Sequence, residues 1–191
     1  MASSTRITHR VNAPRASVYR ALLDARAVAA WKVPTGMTSH VHEFEPREGG
    51  AFRISLTYDE PTGTGKTTAH ADTCHGRFVK LVTDERVVEV VEFETADPSL
   101  RGEMTITMTL TDADGGTDVL AVHEGLPRGV PTADNEAGWR EALAKLAALV
   151  EAGPALVILG VAFGAAALAV SRRSNSGRRP PLGPMVPHPS D

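Results

Sequence analysis

DNEAGWREALAKLAALVE, residues 134–151, is the stretch whose reading decides the fold. Trp139, Leu143, Leu146 and Val150 recur at helical spacing, and Ala142, Ala147 and Leu149 widen the same face, whereas Arg140, Glu141, Lys145 and Glu151 fall off it. A helix with one unbroken apolar stripe needs an apolar surface to lie on. Thr132 and Asp134 are its candidate N-caps, and Gly153-Pro154 stops it.

Everything upstream supplies such a surface. From residue 38 the apolar period becomes two and stays so for about eighty-five residues. SHVHEFEP and AFRISLTY flank the turn Arg47-Glu48-Gly49-Gly50 and form a predicted hairpin, with Phe52, Ile54, Leu56 and Tyr58 on one face. A long strand is expected within 67–82, followed by RVVEVVEFE, by EMTITMTLT with Met104, Ile106, Met108 and Leu110 alternating against threonines, and by TDVLAVHE.

Before residue 38, TRITHRVN reads as a half-buried strand. Asn12-Ala13-Pro14 opens a short helix carrying Val18, Tyr19, Leu22 and Leu23, with Asn12 or Ala13 expected at its cap, and a second helix runs from about Ala25 to Trp31. The predicted order is strand, two short helices, six antiparallel strands and one long helix. Without βαβ alternation there is no parallel nucleotide-binding sheet, and six successive strands with one apolar side curl around the terminal helix.

This order, with VNAPRASVYRALLDARAVAAW, VHEFEPREGGAFRISL and GWREALAKLAALVE as its segments, resembles the START-like (SRPBCC) superfamily over about residues 5–152. Within it the chain is most similar to the branch named after activators of the heat-shock-protein-90 ATPase. The resemblance implies an α+β helix-grip fold, a curved seven-stranded antiparallel sheet around the last helix enclosing an apolar cavity. It implies small hydrophobic ligands, with catalysis in a minority of members. Relatives that act on the chaperone carry a further N-terminal domain not seen in this sequence, and many have paired tryptophans where Trp31 is here followed by Lys32.

The composition narrows the function. A chain of 191 residues with 42% apolar content supports one core, expected over 1–152. A net charge of −3 and 5% aromatic residues argue against nucleic acid as a partner. The single cysteine, Cys74, excludes an internal disulfide and reads as a small buried hydrophobe. MASSTRITHRV has no apolar run, so no secretory signal is expected and the domain is read as cytoplasmic.

The tail reads differently. PALVILGVAFGAAALAV, residues 154–170, carries no charge and contains a GxxxG at Gly160 and Gly164. Seventeen helical residues reach about 25 Å, just short of a hydrocarbon core, so 153–171 is a borderline transmembrane segment that would anchor the domain. Residues 172–191, rich in proline and arginine, are read as disordered.

Chemistry-bearing motifs are sparse. Gly63-Thr64-Gly65-Lys66-Thr67-Thr68 imitates a phosphate loop, but Glu60 stands where the first glycine is required, so it reads as a hairpin loop. His70, Asp72 and Cys74 share one strand face, and His40 and His42 another, without the compact spacing of a zinc site, so no metal or other cofactor is expected. The glutamates at 85, 89, 92 and 94 read as solvated edges, and no nucleophile signature is present.

The expected function is therefore non-catalytic binding of a small hydrophobic or amphipathic ligand between sheet and terminal helix. Trp31, Phe44, Phe52, Ile54, Met104, Met108, Trp139 and Leu143 are the expected apolar lining, and Tyr58, His42 and His70 the polar contacts. His42 is assigned to the cavity because it has the parity of Phe44. The alternatives are a protein-interaction module with a chaperone or other partner, and a cyclase- or hydrolase-like enzyme.

Overall fold

A computed structural model describes residues 3–60 and 65–153. The first strand, β1 (Ser3–Val11), leads into helices α1 (Arg15–Leu22) and α2 (Ala25–Trp31). Six strands follow: β2 (Met37–Phe44), β3 (Ala51–Tyr58), β4 (Ala71–Val82), β5 (Arg86–Phe93), β6 (Met104–Ala113) and β7 (Gly116–Leu126). The long helix α3 spans Thr132–Glu151. All neighbouring strands pair antiparallel, in the order β1-β7-β6-β5-β4-β3-β2, so the first strand closes onto the last and β1 and β2 are the edges. This is the α+β helix-grip architecture, a curved sheet holding the C-terminal helix.

Alternation decides which face of each strand is buried. Met104, Ile106, Met108 and Leu110 of β6 and Val119, Ala121 and His123 of β7 point inward, against Ile7 and Val11 of β1. Helix α3 packs on β1 and on both short helices, burying Ala142, Leu143, Leu146 and Ala147. Each buried leucine contributes roughly 1.5–3 kcal/mol relative to an exposed one. Farther along the sheet, Phe44 and Phe52 each approach Phe78 with ring centroids 5.4 Å apart. Gly76 of β4 makes room for that cluster, since a Cβ there would lie 2.5 Å from Phe52 Cζ.

The helix ends differ from expectation. Pro14 and Pro131 occupy the N-cap positions of α1 and α3, and neither helix has a side-chain cap, so Asn12, Ala13, Thr132 and Asp134 are not caps. Proline, with φ fixed near −65° and no N–H, enters a helix from extended backbone without leaving a donor unpaired. The α2 cap is a side chain, Asp24 Oδ1 accepting the Ala27 N–H at 2.8 Å.

The polar side of α3 also does more than face water. Glu141 accepts the backbone N–H and the hydroxyl of Thr35, and Lys145 Nζ donates to Val33 O at 2.6 Å. The Lys145 ammonium and the Thr35 donors hold the Glu141 carboxyl well down, to about 2. The loop between α2 and β2 is thereby fastened to the long helix.

No helix among the described residues is long and apolar enough to cross a membrane. The 154–170 segment read as a borderline span, and the tail after it, lie outside the described residues.

Candidate functional site

The two inner layers do not meet everywhere. Between the inner faces of β3–β7 and the first half of α3 lies a cavity of about 660 Å³, within the usual range for small-molecule sites. Leu56, Val91, Phe93, Met104, Ile106 and Trp139 form its apolar walls. Its rim includes Asp97, Gly129, Pro131 and Asp134, all exposed. The rim loops touch: Gly129 N–H donates to Ser99 O at 2.8 Å, and a Cβ on Gly129 would lie 2.5 Å from Ser99 Oγ.

The interior is not purely apolar, contrary to the enclosed greasy cavity expected from the resemblance. Lys32 follows Trp31 at the end of α2, and its ammonium turns inward to an ion pair with Glu89 of β5. Glu89 shares the inward parity of Val87 and Val91 and is 6% exposed, so it is not a solvated edge. The same Nζ lies 5.7 Å from the Phe52 ring centroid and 5.6 Å from that of Trp139, where a cation is attracted to the ring faces. A second inward pair joins Lys66 to Asp72 at the cavity wall, with Lys66 Nζ 5.5 Å from the Phe93 ring. That pairing gives Lys66 a structural partner, in keeping with a loop and not a phosphate cradle.

His123 of β7 is the unexpected member. It is 1% exposed, it lines the cavity, and neither ring nitrogen has a hydrogen-bond partner. Its ring stands edge-to-face against Trp139 with centroids 4.4 Å apart. Burial, assisted by the nearby Lys32 charge, pushes its pKa down to about 3, so the ring is neutral at ordinary pH. An unfolded histidine takes its proton near pH 6.5, so between pH 6.5 and 3 the unfolded chain binds a proton that the folded chain refuses. Stability contributed by neutral His123 is therefore complete above that window and falls as the pH drops through it, by up to about 1.4 kcal/mol per pH unit. We expect the stability of the native chain to fall relative to that of His123→Leu by a few kcal/mol from pH 7 to pH 4 in urea titrations. An unchanged difference would mean that His123 is charged or solvated.

Of the anticipated site residues, Met104 and Trp139 line the cavity. Trp31, Phe52, Ile54, Met108 and Leu143 are buried in the core beside it, and Trp31 Nε1 donates to Ala21 O at 3.2 Å. Phe44 is partly buried against Phe78, and Tyr58 sits half-buried at the end of β3, off the cavity wall. His42 is a correction. The register of β2 against β3 slips between Val41 and Glu43, so His42 is the extra residue of a bulge and the parity that linked it to Phe44 is broken. It is exposed, lies edge-to-face with His40 and contacts Ser55 Oγ at 2.8 Å. His70 is a second correction, since it lies exposed in the turn before β4, while Asp72 and Cys74 face the cavity. Burial pushes the Cys74 thiol up to about 11, so it is a protonated wall group. Among the described residues no group of three or more His, Cys, Asp or Glu side chains is placed to hold a metal ion.

A curved antiparallel sheet gripping its C-terminal helix, with two short helices after the first strand and a cavity between the layers, defines a START-like (SRPBCC) domain. More narrowly, the family model described as activator of Hsp90 ATPase homolog 1-like protein matches residues 12–151, and the chain belongs to that family. Among solved structures, protein CV1439 from Chromobacterium violaceum is 34% identical with a TM-score of 0.69, the match covering 78% of this chain and 96% of that one. A Rhodobacter sphaeroides protein shares the fold at 19% identity and a TM-score of 0.66, over 78% of this chain and 93% of that one. DynU16, a protein of the dynemicin biosynthetic locus, is 25% identical with a TM-score of 0.55, over 78% of this chain but 48% of its own. No match was found among curated proteins.

Proposed function

We propose that the domain binds a small hydrophobic or amphipathic molecule in the space between the sheet and α3, without transforming it. The observation that carries this reading is the cavity itself. A well-packed interior leaves few voids larger than a water molecule, yet about 660 Å³ stays open beside a core packed as tightly as Leu143 and Leu146, both 0% exposed. Among the described residues that line it there is no nucleophile with an adjacent base, which favours binding over turnover.

Thermal-shift titration with cholesterol, oleic acid and fluorene tests the reading. A guest at a hundred times its Kd stabilises the fold by about 2.7 kcal/mol. Leu56→Trp, which fills space from the β3 wall, should abolish that shift while leaving the unliganded domain folded. No shift with any of these probes in the native chain would count against a binding role. The family match supports a second reading, a module acting on a partner protein such as the chaperone ATPase. On that reading Leu56→Trp leaves the partner effect intact, which separates the two.

A further inference from the structure

Resting on the ligand-binding reading, we propose that the guest presents an uncharged oxygen acceptor, a ketone-type carbonyl, at its buried end, and that His123 and Lys32 receive it. The two residues converge on the Trp139 ring, His123 with its ring centroid 4.4 Å away and Lys32 with Nζ 5.6 Å away. Together they leave donors unused. A lysine ammonium has three N–H donors, of which Lys32 gives one to Glu89, and a neutral histidine has one donor and one acceptor, neither of them satisfied here. A buried polar group without a partner is costly, and a guest that supplies the partner recovers that cost.

Charge decides what kind of acceptor fits. Both inward lysines are already matched, Lys32 by Glu89 and Lys66 by Asp72. The remaining charged groups on the cavity lining are acidic, Asp97 and Asp134, and neither has an ion-pair partner among the described residues. A carboxylate buried at the deep end would add an anion with no spare cation to meet it. A carbonyl oxygen accepts from both donors and adds no charge. Both His123 nitrogens are buried, and the half-buried Trp139 indole stands against the ring, so on this proposal the guest meets them by moving that indole aside.

The test uses one ring system with three ends: fluorene, 9-fluorenone and fluorene-9-carboxylate, titrated into the full chain by following tryptophan fluorescence. The proposal expects fluorenone to bind roughly tenfold tighter than fluorene, the equivalent of one net hydrogen bond. It also expects the carbonyl stretch of bound fluorenone to move to lower frequency. In His123→Leu the affinity ratio should fall toward one and the shift should be lost. If that variant does not fold, the carbonyl stretch in the native chain decides alone. Equal affinities with an unmoved stretch would overturn the carbonyl anchor while the cavity reading stands. Tighter binding of the carboxylate would overturn the uncharged acceptor, and no binding of any of the three would overturn the anchor and the cavity reading together.

Discussion

Glu89→Ala is expected to destabilise the domain by about 3–5 kcal/mol, the range for removing one partner of a buried ion pair. Glu89 is 6% exposed and the Lys32 side chain 20%, so water cannot readily replace the lost carboxylate. The ammonium would be left with the faces of Phe52 and Trp139, which are worth far less than a carboxylate. Replacing both partners with apolar residues, Lys32→Met with Glu89→Leu, should recover most of the loss, because the double variant strands no charge. Urea unfolding of Lys32→Met, Glu89→Leu and the double variant gives the coupling directly. A cost for Glu89→Ala below about 1 kcal/mol, the value of an exposed pair, would show that the site is solvated.

Phe78→Ala should cost a similar amount, about 3–5 kcal/mol, for a different reason. Phe78 is 1% exposed and lies between Phe44 and Phe52, so truncation opens a cavity and removes two aromatic contacts at once. Its neighbour Val79 makes an internal control. The register of β4 against β5 slips between Phe78 and Lys80, which turns Val79 out as the bulge residue at 46% exposure. Val79→Ala should therefore stay within about 0.5 kcal/mol of the native chain. The urea midpoint should fall steeply for Phe78→Ala and hardly for Val79→Ala, at an unchanged slope. Equal losses at the two positions would contradict the register.

The architecture was legible because it rests on periodicity. The apolar stripe of residues 134–151 and the alternation of Met104, Ile106, Met108 and Leu110 need nothing beyond counting along the chain, and both occur as read. Positions that depend on a partner far away in sequence were not legible. Lys32 and Glu89 stand 57 residues apart, and nothing local marks a glutamate in RVVEVVEF as inward except its parity with Val87 and Val91. His123 carried the same signal, since it continues the inward face of Val119 and Ala121, but a polar residue on an apolar face is easily discounted. His42 failed in the opposite way, because a bulge inverts parity and leaves no trace in the composition of the strand.

The most direct test of the account is a methionine-methyl NMR titration with fluorene. Met104 and Met108 sit on the same face of β6, both buried, yet only Met104 borders the cavity. With a guest between the sheet and α3, the Met104 methyl signal is expected to move strongly, broadening or shifting as the space fills, while Met108 stays near its free position. Equal movement of the two, or movement confined to Met37 at the edge of the sheet with Met104 unchanged, would show that no guest enters between the sheet and the long helix.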